Sequence, residues 1–95
     1  MLFALLCRDK PGASDLRLSL RAQHLAYIEA HRGQVKLAGP FLSEDGQMMV
    51  GSLLIIEAAD RRAAELFAAA DPYRTGGLFA SVEIIPWRWT IGAPA

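Results

Sequence analysis

The 95 residues predict an α+β domain, a four-stranded antiparallel sheet with two helices packed on one face. Three observations carry that reading. Apolar runs of strand length are interleaved with two helix-length stretches in the order β-α-β-β-α-β. The two middle runs are joined by Ser43-Glu44-Asp45-Gly46, a turn by composition that makes them antiparallel neighbours. Each helical stretch has its own stop, Gly33 after the first and Asp71-Pro72 after the second. The order is that of the ferredoxin-like fold.

Met1 to Arg8 is a short continuous apolar run closed by Asp9-Lys10-Pro11-Gly12, as a buried central strand would be. Ser14 or Asp15 is placed to cap a helix running to about Arg32, and Gly33 to supply its left-handed C-terminal position. Within that helix Leu18, Ala22, Leu25 and Glu29 recur at helical spacing, and Leu25 is expected to enter the core; Arg17, Arg21, His24 and Ile28 form the adjoining flank. His24 therefore falls on the border between core and a basic stripe. Gln34 to Leu42, with Gly39-Pro40 inside it, and Gln47 to Glu57 are the strands of the hairpin. Asp60 caps a second helix, Arg61 to about Ala70, whose large apolar residues are Leu66 and Phe67. Thr75-Gly76-Gly77 lies in a loop, Leu78 to about Trp89 is the fourth strand, and the tail Gly92-Ala93-Pro94-Ala95 is expected to be loose.

The strands carry too much hydrocarbon for one covered face. In the third, Met48, Val50, Leu54 and Ile56 point one way and Met49, Leu53 and Ile55 the other; in the fourth, Ala80, Val82 and Ile84 oppose Phe79, Ile85, Trp87 and Trp89. Two helices cover one side. A second copy is the simplest cover for the other, so a homodimer packed sheet against sheet is expected, with Trp87 and Trp89 in its core.

Composition narrows the functional classes. Ninety-five residues form one domain, residues 1–95. Ten basic and ten acidic side chains cancel, which leaves no field to draw in nucleic acid or an anionic membrane and points to a small-molecule or protein partner. The apolar start is brief, has no preceding positive region and meets Arg8-Asp9-Lys10 at once, so it reads as a strand and not as a signal peptide or membrane span. A single cysteine rules out an intrachain disulfide, and with two histidines it shows no zinc-ligand spacing. A reduced, cytoplasmic protein without metal is expected, with Cys7 a buried small hydrophobe. There is no glycine-rich phosphate loop, so no nucleotide cofactor is expected.

Acid–base chemistry is confined to one pairing. Proline lacks an N–H and drives the residue before it into extended backbone, so Asp71 before Pro72 has its carboxylate free at the end of the second helix. If the fold brings His24 beside it, the carboxylate fixes the imidazole tautomer and the pair can act as general base and orienter. The plainer role for both is stability, a helix-border histidine bonded to a helix-capping aspartate. Arg21, one turn before His24, can bind an anionic substrate group or simply face water. Gly39, Pro40 and the Gly51-Ser52 pair sit in strands where a missing side chain admits a ligand or a bulge. Ser52 can donate to a substrate, Tyr73 can line the pocket, and His31 suits the end of the first helix through the helix dipole.

These positions resemble, in order and spacing, those of the YciI-like family of YCII-related domains. The resemblance spans nearly the whole chain and is carried by Arg21 and His24-Leu25, Ala38-Gly39-Pro40, Gly51-Ser52, Asp71-Pro72-Tyr73 and Ile85-Pro86-Trp87. It implies a dimeric α/β barrel, similar in fold to muconolactone isomerase, with a site built on a histidine and an aspartate that correspond to His24 and Asp71. It also implies chemistry, since at least one relative is a dechlorinating enzyme of chloroaromatic breakdown. On residues alone the structural role of His24 and Asp71 is the commoner; the resemblance favours the catalytic one. The expectation is thus a small cofactor-free enzyme, a lyase or isomerase acting on a small cyclic or carbonyl compound, with Arg21, Gly39, Pro40, Ser52 and Tyr73 binding the substrate. The alternative is a non-catalytic module of the same fold that binds a small ligand or a protein.

Overall fold

In the computed structural model, which describes residues 1–94, the apolar run at the start of the chain becomes β1, Leu2–Asp9, one of the two inner strands of the sheet. After it come α1, Ser14–Ala30; β2, Val35–Leu42; β3, Met49–Glu57; α2, Arg61–Ala70; a one-turn helix α3, Pro72–Thr75; and β4, Phe79–Trp87. The sheet order is β2-β3-β1-β4, with every pair antiparallel. Pairing of Phe3, Leu5 and Cys7 with Ile56, Leu54 and Ser52 on one side, and with Pro86, Ile84 and Val82 on the other, puts those residues on a common face. The helices lie on that face, and Phe3, Leu5, Leu54, Ile56, Ala64, Phe67, Tyr73 and Leu78 form its core. Ala95 lies outside the described residues, and residues 88–94 carry no helix or strand.

Local chemistry explains the boundaries. The β2–β3 turn is held by Asp45, whose Oδ1 accepts from the Ser43 hydroxyl at 2.6 Å and the Gln47 N–H at 3.0 Å, and by Gly46 at φ +75°. Asp60 caps α2 by accepting from the Ala63 N–H at 2.9 Å. Two expectations for α1 do not hold. Its N-cap is Ala13, with neither Ser14 nor Asp15 making a capping bond, and Gly33 is not left-handed; the helix ends at Ala30 and unwinds through a turn in which Gln34 N–H bonds to the His31 carbonyl.

The buried face of α1 also differs from the expected one. Leu18 and Leu25 are exposed, whereas Arg17 and His24 are buried and Leu20, Tyr27 and Ile28 pack on the core. The helix can bury these polar side chains because each is hydrogen-bonded to a carboxylate across the interface, which offsets the cost of taking polar groups out of water. Leu66 of α2 is likewise exposed, and Phe67 alone of that pair enters the core. Phe79 moves to the helix side: β4 pairs Arg8 with Ser81 but Asp9 with Phe79, so the extra residue, Ala80, reverses the alternation and sends Phe79 against Tyr73.

The opposite sheet face carries Leu2, Leu6, Leu37, Leu53, Ile85 and Trp87, with Leu37, Ile85 and Trp87 exposed. Trp87 and Trp89 lie 5.7 Å apart by ring centroid. Among the described residues no helix is long and apolar enough to cross a membrane.

Candidate active site

Asp71 sits at the junction of two helices, ending α2 and opening α3 with φ −61° and ψ 128°, the extended backbone that a following proline demands. Its Oδ1 accepts from the Tyr73 N–H at 2.9 Å, capping α3, and bonds His24 Nδ1 at 2.8 Å. Both side chains are buried. An ionised carboxylate only accepts, so Nδ1 donates and the neutral imidazole keeps its lone pair on Nε2. Nε2 has no partner among the described residues, and no buried side-chain polar atom there is left unpaired; Nε2 therefore opens onto the pocket that His24 lines.

Tyr73 fixes the ring from the other side. Its phenol stacks on the His24 imidazole with centroids 4.0 Å apart and planes 13° from parallel, while the Arg17 guanidinium lies 4.6 Å from the Tyr73 centroid on a cation–π contact. Arg17 in turn grips Asp9 with two bonds, Nε to Oδ2 at 2.7 Å and Nη2 to Oδ1 at 3.1 Å, and Nη2 also donates to Ser52 Oγ at 2.9 Å. Side chains from β1, α1, β3 and α3 thus hold one another: Ser52 and Asp9 both bond Arg17, Arg17 packs on Tyr73, Tyr73 stacks on His24, and Asp71 closes the end. Burial works against the Arg17 charge, but Asp9 and, after it, Tyr73 together more than offset it and hold the guanidinium above its ordinary pKa. Burial also raises the Tyr73 phenol, with Arg17 and Arg21 pulling the other way, so at neutral pH Tyr73 is a donor.

The pocket has a volume of about 170 Å³. Its polar wall is Arg17, Arg21, His24, Ser52 and Tyr73, and its apolar wall includes Leu25, Ile28, Ala38 and Met49. The fold brings the residues expected to act on or bind a substrate to one place: His24 and Asp71 are bonded, and Arg21, Gly39, Pro40, Ser52 and Tyr73 line the cavity. Arg21 forms no ion pair with any described residue, so it presents an uncompensated positive charge to the pocket. Gly39 leaves open space where a side chain would stand, whereas Gly51 is packed under the Phe41 ring and against the Cys7 carbonyl. Among the described residues no three metal-ligating side chains converge.

Sequence reasoning missed Asp9 and gave Arg17 no role beyond its stripe. Arg17 precedes His24 by two helical turns and so shares its face, a signal that was present. That Asp9 lies opposite follows only from the packing of α1 on β1.

A family model described as the YCII-related domain matches residues 1–88. The chain belongs to that family. Among its YCII relatives, the protein YciI of Escherichia coli O6:H1 is 32% identical over 93% of this chain and 97% of its own length. An uncharacterized protein of Haemophilus influenzae is 30% identical with the same coverage. Among solved structures, the 5-chloro-2-hydroxyhydroquinone dehydrochlorinase TftG of Burkholderia phenoliruptrix AC1100, in complex with 2,5-dihydroxybenzoquinone, superposes with a TM-score of 0.85 at 35% identity, covering 93% of this YCII domain and 94% of that chain. The ferredoxin-like reading of the sheet and helices is thereby shown in a relative of known structure.

Proposed function

We propose that this YCII protein is a small cofactor-free enzyme, a lyase or isomerase, that moves protons on an oxygen-bearing ring compound and works as a homodimer joined through the outer sheet face. The observation that carries the reading is the 2.8 Å bond from His24 Nδ1 to Asp71, which leaves Nε2 as a proton acceptor facing a cavity. The cavity, about 170 Å³, is of the size that holds a single six-membered ring, since an engineered cavity of roughly 150 Å³ takes up benzene. The named ligand of the dehydrochlorinase relative is such a ring.

Roles follow from placement. His24 Nε2 removes a proton from the ring or its hydroxyl, and Asp71 holds the imidazole in the tautomer that can accept it and stabilises the imidazolium formed. Arg21, with Arg17 behind it, faces the negative charge that develops on the substrate oxygen, and the Ser52 and Tyr73 hydroxyls orient it. Expulsion of a leaving group with its bonding electrons balances proton removal in a lyase; return of the proton to another atom balances it in an isomerase. Only protons and a leaving group move, so the chemistry asks for no redox partner.

The test is turnover of chlorinated hydroxyhydroquinones and unsaturated ring acids by the parent and by His24→Ala. The expected result is a loss of at least about a hundredfold in the variant, the contribution typical of a general base. Tight binding of the same rings with no turnover by the parent would instead make the domain a ligand-binding module.

A further inference from the structure

Beside the His24 pocket lies a second cavity of about 180 Å³, lined by Ser14, Arg17, Leu18, Gln47, Met48 and Met49. Arg17 and Met49 border both, so the two cavities are neighbours between α1 and the β2–β3 hairpin. Their chemistry differs. The first offers an imidazole, a phenol, a serine and two guanidinium groups; the second, beyond the shared Arg17, is walled mainly by the hydrocarbon and thioether of Leu18, Met48 and Met49. Leu18 and Met48 are 66% and 51% exposed. Large apolar side chains left wet around a concavity mark a binding surface.

We propose that the second cavity holds an apolar substituent of the substrate, so that the substrate is bipartite: an oxygen-bearing ring at His24 and an alkyl group between Leu18 and the two methionines. The proposal rests on the reading of the His24 pocket as a ring-binding site and names the substrate class for it. Three features favour a substituent over a protein partner as the occupant. The cavity is concave and adjoins the acid–base pocket, sharing Arg17 and Met49 as wall residues, so a group attached to the ring has only those two side chains to pass. Its volume matches a group of up to about six carbons by comparison with the benzene-sized cavity. Its walls include two unbranched, polarizable methionines, which adapt to substituents of different shape.

Calorimetric titration of the parent protein with 2,5-dihydroxybenzoquinone and its 3-alkyl derivatives, methyl to hexyl, tests the proposal. Affinity is expected to rise by up to roughly fourfold per methylene, the equivalent of about 0.8 kcal/mol per buried CH₂, and to level off once the cavity is full. Leu18→Glu and Met48→Glu change exposed positions and are expected to abolish that chain-length gain. Binding of the unsubstituted ring with no gain from any alkyl group overturns the second compartment and leaves the His24 site standing, as does a gain that persists in both variants. Failure of the parent to bind any member of the series overturns the ring-binding reading and this inference with it.

Discussion

Cys7 shows how a residue with no chemistry of its own reports on the site above it. The thiol lies on the core face of β1 opposite Ser52, and burial, followed by the nearby Asp71 charge, pushes it from 9.0 to about 12 despite the pull of Arg17. At pH 8 that lowers the thiolate fraction by roughly a thousandfold, so native protein is expected to react with a disulfide reagent far more slowly than denatured protein, as a timed thiol titration would show. The same shift sets an alkaline limit. A thiol raised on folding contributes stability that is fully present below about pH 9 and is lost as pH rises through about 12, because the unfolded chain ionises first. Burial raises Tyr27 and Tyr73 in the same direction. Chemical denaturation between pH 9 and 12 is expected to show falling stability, less steep in Cys7→Ala; equal slopes would refute the placement of the thiol. Gly51 gives a second residue-scale test. A methyl group there would run into the Cys7 carbonyl, which the β1–β3 ladder holds in place, and would crowd the Phe41 ring. Gly51→Ala is expected to cost about 1–3 kcal/mol in thermal or urea unfolding.

At the scale of elements, Asp71 joins helix geometry to the site, since one carboxylate oxygen caps α3 and holds His24. Asp71→Asn can still accept from Tyr73 N–H, but its amide can donate to the imidazole and select the wrong tautomer. Turnover on an active ring substrate is expected to fall by between about 10² and 10⁴ with a melting temperature close to the parent's. Asp71→Ala removes the cap as well and is expected to lose a further 1 kcal/mol or so of stability. Asp60→Ala, which uncaps α2 far from the pocket, is expected to lose a similar amount of stability with no change in kcat. The Asp71-Pro72 step was legible because proline acts on its neighbour through local sterics alone. The buried face of α1 was not. Hydrophobic periodicity sends Leu18 and Leu25 inward, whereas the fold buries Arg17 and His24, whose partners Asp9 and Asp71 are separated from them by 8 and 47 residues. Periodicity sees which side chains are apolar; it cannot see which polar ones will be satisfied. The turn at Phe79 escaped for a similar reason, since a bulge of one residue is set by pairing with β1 and leaves no mark on composition.

The molecule as a whole has one sheet face closed by helices and an opposite face, mixed from apolar side chains with Arg8, Glu57 and Glu83, that no helix among the described residues covers. Ala4 and Ile55 are buried there by their own neighbours, but Leu37, Ile85 and Trp87 remain exposed across the sheet. Exposed apolar side chains on both edge strands, with the half-buried Leu2, Leu6 and Leu53 between them, mark a surface suited to a partner. The same surface on a second copy is its natural complement, because a twofold axis lets one patch serve both sides. A standard interface buries roughly 800 Å² per partner and draws most of its energy from a few central aromatic anchors. Trp87 is the candidate anchor: it projects from the face opposite the helices, and Trp89 packs beside it. Sedimentation is expected to give twice the 10.4 kDa chain mass at micromolar concentration. Trp87→Ala is expected to shift that equilibrium toward monomer by at least tenfold, since loss of a buried aromatic anchor at an interface commonly costs about 2 kcal/mol or more. Leu25→Ala, at an exposed position on the helical side and beside the pocket, is expected to leave the sedimentation coefficient unchanged and to cost little stability, well short of the 2–5 kcal/mol of a core cavity. A parent protein that sediments as a monomer, or a Trp87→Ala variant that stays fully dimeric, would show that the outer face is not where two copies meet.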